Sequence, residues 1–260
     1  MNMNLAFVIG LLTTIVSGVM AVMVLNRYRL KGGAHQLLWG LGLVLYFVSG
    51  LSEVLLSFGW SDIAFRLWYW SGALLVPPVL GQGTMHLLVR KKNVAAIFTT
   101  IIGILAAASL VWIFSVPLDA SKFLPGNDIG KFLTGSYRDI LPESMVRRIL
   151  PPVMNGYGTL LLAGGAVYSA YLFLRKRILP NRVLGNVFIA AGGLLPAAGG
   201  ALIKLAETVP TLSESASVFK YVGILGGVIL LFIGFQLAVS GAPAPATQNS
   251  PAATAPPATF

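Results

Sequence analysis

Apolar residues along this chain fall into long stretches that are separated by short polar segments. A helix that crosses a hydrocarbon core of about 30 Å needs about 20 mostly apolar residues. Seven stretches reach that length, and the sixth is the least apolar of them. They cover residues 4–26, 36–58, 63–89, 94–114, 153–174, 183–205 and 218–239. The pattern predicts an all-α fold, a polytopic integral membrane bundle of about seven transmembrane helices.

The basic residues between these stretches predict an orientation. Short loops rich in Lys and Arg usually face the cytoplasm. The segments after the first, third and fifth stretches carry cations and no acidic residue. These cations are Arg27, Arg29, Lys31, Arg90, Lys91, Lys92, Arg175, Lys176, Arg177 and Arg182. Because the acidic residues lie at or near the other side, we expect the N-terminus outside, the C-terminus in the cytoplasm, and a multi-pass protein of the plasma (inner) membrane.

The composition is typical of a membrane protein and excludes several kinds of functional site. Hydrophobic residues make up 56% of the chain and charged residues 10%, whereas soluble domains carry about 25% charged residues. The chain has no cysteine, so thiolate nucleophiles and Cys-ligated metal sites are excluded. The net charge of +10 is explained by topology and by contact with anionic lipid. We expect no nucleic-acid partner, since no basic–aromatic patch is present, and no cofactor.

Two segments lie outside the predicted spans. The outer segment 115–152 is predicted to contain a short interfacial helix that starts at Pro142 and ends before Pro151 and Pro152. A loop of this length binds a partner or caps the helix ends, and the sequence leaves both open. Residues 1–240 are thus expected to form one transmembrane domain. The Ala/Pro/Thr-rich tail 241–260 has no apolar periodicity and is expected to be disordered.

Ionisable residues inside the spans are candidates for a functional site, because charge within a membrane is costly. Glu53 lies a turn or more inside the second span, and Lys204 and Glu207 lie at a similar depth in the sixth. We hypothesise that Glu53 pairs with Lys204 across the bundle, or that these side chains line an outward-facing polar pocket. The alternative is that Lys204 and Glu207 reach the lipid headgroups while Glu53 is neutral and locally hydrogen-bonded.

The third span has the most distinctive sequence. It begins with the aromatic run 68–70, which is typical of an interfacial belt. Pro77 and Pro78 stand in its middle and free backbone carbonyls there, so we predict a helix kink. Gln82 follows within two turns, and kinked helices often border binding sites. His86, near the end of the span, is a candidate proton-relay group.

The fifth and sixth spans carry features that favour close helix packing. The sixth holds Pro196, a further candidate kink, between two glycine pairs, 192–193 and 199–200. Small residues let helix backbones approach closely in membranes. Side-chain amides and hydroxyls that interrupt these two spans are expected to add hydrogen bonds between helices. They belong to Asn155, Tyr157 and Asn186.

Parts of the second and third spans resemble a known family. An acidic residue near the end of one helix (Glu53), followed in the next by the run 67–70 and the pair Pro77 and Pro78, is similar to the seven-helix membrane sensor region of bacterial histidine kinases. The resemblance implies a bundle that senses a ligand. That family signals to a kinase domain, which this sequence does not contain, and no family site residue carries over.

The expected function is therefore that of a non-enzymatic polytopic membrane protein. It is either a ligand sensor or a subunit of a larger membrane complex, with lipid and other membrane-protein subunits as partners and a small-molecule ligand compatible with both. The alternative is a small-solute transporter with a polar cavity near Glu53, Gln82 and Lys204. An enzyme is not expected, because Glu53 and His86 are the only acid or base candidates and the charge map assigns them to opposite ends of the bilayer.

Overall fold

The computed structural model describes residues 5–89, 91, 93–123, 137–175, 180–209 and 213–240. Within this part of the chain all regular structure is helical, and seven helices are long and apolar enough to cross a membrane. They are α1 (Leu5–Lys31), α2 (Ala34–Leu56), α3 (Asp62–Leu88), α4 (Val94–Ser115), α5 (Met145–Arg175), α6 (Pro180–Thr208) and α7 (Ser213–Ser240). The predicted all-α bundle of seven membrane helices is confirmed.

Left-handed backbone positions separate neighbouring helices. Gly32 and Gly33 have φ angles of 67° and 100°, which glycine adopts without steric cost, and they form the turn between α1 and α2. Asn93, with a φ of 68°, directly precedes α4. At the start of α3, the Ser61 hydroxyl accepts a hydrogen bond from the Ala64 N–H at 3.3 Å. This N-cap fixes where the third span begins.

Helix α3 lies at the centre of the bundle. In the most apolar 18-residue window of α3, 61% of the residues are buried, against 17% in the corresponding window of α4. Phe65 and Leu74 are fully buried, at 0% exposure each. On one side α2 packs against it, with Gly42 facing Leu80, and on the other side α5 packs against it. The helix with the most irregular sequence is therefore the core of the fold.

Tyr69 belongs to this core, so the prediction that it forms an interfacial belt is wrong. Its side chain is 1% exposed and is surrounded by Trp68, Trp112 and Tyr137, with ring centroids 5.9–6.4 Å away. Tyr69 lies on the face of α3 that packs against α4 and the short helix Tyr137–Ile140. Burial among protein side chains therefore replaces the expected contact with lipid headgroups.

Glycines bring α6 and α7 into close contact, as the sequence predicts. A Cβ atom on Gly192 would lie 2.7 Å from the Gly227 carbonyl, and one on Gly227 would lie 2.8 Å from the Gly192 carbonyl. Helix α6 continues through Pro196, and Gly227 also lies against the Pro196 ring. Without a side chain at either position, the two backbones meet directly. Gly200, by contrast, has nothing within 4 Å of the position of a Cβ.

The predicted interfacial helix is wrong in both of its boundaries. Helix α5 begins after Ser144, whose hydroxyl accepts from the Arg147 N–H at 3.2 Å, and it continues through Pro151 and Pro152 as part of the fifth span. A proline inside a helix costs about 3 kcal/mol on its own. Contacts of the following turns with α3, including the buried side chain of Met154, offset that cost.

A backbone hydrogen bond joins the two described parts of the segment between α4 and α5. The Asp119 N–H donates to the Ile140 carbonyl at 3.0 Å. The Asp119 carboxylate accepts from the hydroxyl and the N–H of Ser121, and these bonds hold the pKa of Asp119 below its ordinary value. Residues 124–136 and the tail 241–260, including its predicted disorder, lie outside the described residues.

Candidate functional site

The irregular part of α3 is a π-helical segment, Trp68–Leu75, and one residue, Val76, separates it from the two central prolines. The Val76 N–H donates to the Ser71 carbonyl, five residues earlier. Pro77 and Pro78 then occupy the first turn of the next α-helical segment, where a missing N–H is tolerated. The irregularity that these prolines predict is present as this π-helical segment, and the helix continues past it. Such segments are frequent at functional sites.

A side chain from α5 satisfies the carbonyl that Pro77 leaves free. In a regular α-helix the N–H of residue 77 would donate to the carbonyl of Ala73. Here the Asn155 Nδ2 donates to the Ala73 carbonyl at 2.9 Å. An unsatisfied carbonyl at this depth costs several kcal/mol, because no water is available. The predicted hydrogen bond from Asn155 to another helix is confirmed, and its acceptor is a consequence of the proline.

Glycines allow α3 and α5 to approach at this point. A Cβ on Gly158 would overlap the backbone of Pro77 and Pro78. A Cβ on Gly81 would lie 2.6 Å from the Gly158 carbonyl. The two helices are therefore in backbone contact around the prolines, which brings polar side chains of both helices within reach of each other.

Gln82 is the centre of a buried polar network that joins three helices. Its side chain is 0% exposed. The Gln82 Nε2 donates to the Ala95 carbonyl at 2.7 Å and to the Thr99 hydroxyl at 2.8 Å, both on α4. The Tyr157 hydroxyl of α5 donates to the Gln82 Oε1 at 2.5 Å. Both amide protons and the amide oxygen of Gln82 are thus used within the protein.

His86 extends the network towards the end of α3. Its Nε2 lies 2.7 Å from the Thr99 hydroxyl, and that hydroxyl lies 2.8 Å from the Ala95 carbonyl. A hydroxyl has one proton, so a Thr99 that donates to Ala95 requires His86 to donate from Nε2. His86, Thr99, Gln82 and Tyr157 then form one hydrogen-bonded chain. The proton-relay role of His86 stays a prediction.

The network rigidifies its helices rather than presenting reactive groups. The Tyr157 ring stacks on Phe98 of α4, with centroids 6.1 Å apart and an interplanar angle of 6°. Fully satisfied polar networks in a low-dielectric interior fix one arrangement of the surrounding elements. Among the described residues, no three His, Asp or Glu side chains are grouped as a metal site would require. The described geometry therefore suits a structural junction of α3, α4 and α5.

The structure separates Gln82 from Glu53, which the sequence placed in the same polar pocket. Gly83 packs against Trp39 at the start of α2, whereas Glu53 lies fourteen residues further along the same helix. At 1.5 Å per residue this places them about 20 Å apart along the axis. The side chains of Lys204 and Glu207 lie outside the described residues, so the pairing of Glu53 with Lys204 stays a prediction.

A second anchor of α4 lies at its opposite end and was not predicted from the sequence. Arg66 is 8% exposed and forms an ion pair with Asp62 at 2.6 Å. Its guanidinium also donates to the carbonyls of Ile113 and Val116, the second at 3.0 Å. These carbonyls end α4, so a cation there satisfies orphan acceptors and complements the helix dipole.

Sequence reasoning found part of the site and missed part of it. Tyr157 does bond to another helix, as predicted, but the Asn186 Nδ2 donates to the Arg182 carbonyl of its own helix at 2.9 Å, so that prediction is wrong. An amide four residues after a carbonyl in a helix reaches it without a partner helix. Thr99 was not singled out. The signal for it was a hydroxyl pair, with Thr100, in an otherwise apolar span.

One apolar cavity of about 50 Å³ lies between the helices, towards the end of the bundle at which α1, α3 and α5 end. Every span except α4 contributes to its lining. The contributing side chains include Val24, Leu43, Leu80, Leu162, Ile189 and Phe235. Since its walls offer water no hydrogen-bond partner, a cavity of this kind suits hydrocarbon.

No protein-family model matches this chain, and no curated protein and no solved structure matches it. The function is therefore inferred from the chemistry of its own side chains.

Proposed function

We propose that this chain is a non-enzymatic subunit of a larger membrane complex and that α4 provides the contact with its neighbour. The observation that carries the proposal is the contrast between how firmly α4 is held and how little of it is covered. Only 17% of its most apolar window is buried within the chain. Yet Gln82 bonds to its first turns and Arg66 to its last.

One strip of the exposed surface of α4 has the composition of a helix–helix interface. Ala96, Thr100, Gly103 and Ala107 follow one another at helical spacing, and all four are exposed. A Cβ on Gly103 would have nothing within 4 Å. In membranes, small residues concentrate where two helices approach closely, because lipid chains give no hydrophobic drive for association. A rigidly held helix with a face of this kind favours a second protein as its neighbour.

The competing functions have less support. A transporter needs polar groups that exchange water for solute, but the amide of Gln82 is saturated and lies about 20 Å from Glu53 along the helix axis. An enzyme acting through Glu53 and His86 meets the same separation. A ligand sensor has the apolar cavity in its favour. The same proposal assigns the chain to the plasma membrane, with its N-terminus outside.

Proximity labelling in the native membrane tests the proposal. Because the chain has no cysteine, Gly103→Cys and Gly200→Cys each give one attachment site for a benzophenone photocrosslinker. Both glycines are exposed and have nothing within 4 Å of a Cβ position, so they form a matched pair. We expect the probe on α4 to form a discrete protein adduct, while the probe on α6 labels lipid only.

A bulky side chain gives the complementary measurement. Gly103→Leu should shift the protein from a complex to a smaller species on native gels in mild detergent, while Gly200→Leu leaves the complex intact. If the wild-type chain is monomeric in the membrane and the α4 probe yields no protein adduct, the complex-subunit function is wrong.

A further inference from the structure

The apolar cavity has a buried interior and a partly open side. Val24, Leu43 and Leu80 are buried, at 1%, 3% and 7% exposure. Ile189 and Phe235 line the same cavity and keep partial exposure, so the cavity is not fully enclosed. A dry apolar space of about 50 Å³ is filled most favourably by hydrocarbon, since water would find no partner there.

Basic side chains lie between this cavity and the nearest end of the bundle. Arg27 is three residues after Val24 on α1, one turn away on the same face. Arg182 is seven residues before Ile189 on α6, which places it two turns, or about 10 Å, from the cavity. Both arginines are only partly exposed. Hydrocarbon within the bundle would therefore end close to two positive charges.

The Nε of Arg182 in particular lacks an acceptor among the described residues. Its guanidinium lies over the Phe173 ring of α5, with the central carbon 6.0 Å from the ring centroid. Its Nε is buried and has no hydrogen-bond partner in the described part of the chain. A buried donor of this kind destabilises the protein when it is left unpaired. An anionic oxygen is the group that a guanidinium binds most strongly.

We propose that this region is a binding site for an anionic phospholipid of the surrounding bilayer. The headgroup phosphate accepts from Arg182 and faces Arg27, and one acyl chain passes Ile189 into the apolar cavity. The indole of Trp39 lines the same cavity, and its N–H donates to the Thr84 hydroxyl at 3.4 Å, so this wall is apolar as well. Charge complementarity at one end and a dry cavity at the other select a molecule that is anionic and carries a hydrocarbon chain. This site is separate from α4 and does not depend on the complex-subunit function.

Lipid titration followed by native mass spectrometry tests the site. The purified chain is titrated with phosphatidylglycerol or with phosphatidylcholine of identical acyl chains. We expect one tight phosphatidylglycerol molecule per chain and weaker binding of phosphatidylcholine. Arg182→Gln should reduce the affinity for phosphatidylglycerol about fivefold, the effect of one basic residue near an anionic lipid. Arg175→Gln removes an exposed cation from the same end of the bundle and should change it little.

The cavity is tested separately from the charges. Val24→Phe fills it and should weaken binding of both lipids, whereas Val111→Phe, at a position 71% exposed on α4, should not. If Val24→Phe fails to fold, Ile189→Phe at the cavity opening serves the same purpose. Equal loss with Arg175→Gln and Arg182→Gln would mean diffuse attraction to the basic surface. That result, or unchanged binding in the cavity-filled variant, overturns the proposal.

Discussion

At the scale of single residues, the membrane makes each polar group depend on a partner from the protein itself. Gln82 is an amide within an apolar helix, and it is stable there because Ala95, Thr99 and Tyr157 use all of its bonding groups. Asn155 does the same for the Ala73 carbonyl. Gln82 and Asn155 thus join α3 to its neighbouring helices, and removing either side chain leaves a polar partner unpaired.

The neighbouring threonines of α4 provide a matched test of the network. Thr99→Val removes the acceptor of Gln82 and His86, so we expect the free energy of unfolding in detergent to fall by about 1–2 kcal/mol. Among the described residues the Thr100 hydroxyl bonds to the Ala96 carbonyl of its own helix alone, and it is exposed, so Thr100→Val should have an effect within about 0.5 kcal/mol. Equal effects would mean that the network does not contribute.

The sequence identifies several polar residues of this site but not the partners to which they bond. Gln82, Asn155 and Tyr157 can be found as polar residues inside apolar stretches, because an unpaired polar group there is costly. Their partners cannot be found in the same way. Thr99 and Ala95 belong to another helix, and which of its faces turns towards α3 depends on the packing of the whole bundle. In the sequence, Arg66 is likewise only a charged residue at the end of a span. Its bonds to the end of α4 depend on how the two helices pack.

At the scale of elements, prolines and glycines on facing helices fit each other. The prolines of α3 leave a carbonyl and a π-helical segment, and Gly158 of α5 allows the backbones to meet there. On α6 and α7, Pro196 packs against Gly227 in a similar arrangement. In both places a residue that weakens one helix is matched by a residue that permits close contact with the next.

Two glycines of α5 distinguish the effect of this backbone contact on stability from the effect of helix propensity. Gly→Ala at an unhindered helical site stabilises by about 0.5–1 kcal/mol, and Gly156 has nothing within 4 Å of a Cβ position. Gly156→Ala should therefore raise the thermal midpoint slightly. A Cβ on Gly158 would overlap the backbone of Pro77, so Gly158→Ala should lower the midpoint by the equivalent of about 1–3 kcal/mol. Equal midpoints for the two variants would contradict backbone contact between α3 and α5.

The same elements explain where boundary prediction succeeded and failed. Length and hydropathy identify all seven spans, because crossing a membrane imposes a minimum apolar length whatever the packing. The start of α5 was placed too late because Pro151 and Pro152 are strong local helix breakers. Ser144 as an N-cap and the packing of Met154 against the core override them, and only the second of these depends on tertiary structure.

At the scale of the whole molecule, charge differs between the two ends of the bundle, whereas burial differs between its centre and its edge. No described acidic residue lies at the end where α1, α3 and α5 terminate. Six described cations gather there: Arg27, Arg29, Lys31, Lys91, Arg175 and Arg182. Burial instead decreases sideways, from α3 at the centre to α4 at the edge. The first asymmetry bears on orientation and on anionic lipid, and the second on a protein neighbour, so the two proposals can fail independently.

The orientation itself follows from the charge asymmetry and can be measured directly. We expect the basic end to face the cytoplasm, because cations next to a span resist translocation. Ser121 and Lys31 are exposed at opposite ends of the bundle, and with no native cysteine each gives a single label when replaced by cysteine. A membrane-impermeant maleimide should label Ser121→Cys in intact cells and Lys31→Cys only after permeabilisation. The reverse pattern would place the N-terminus inside, and the lipid site would then face the outer leaflet.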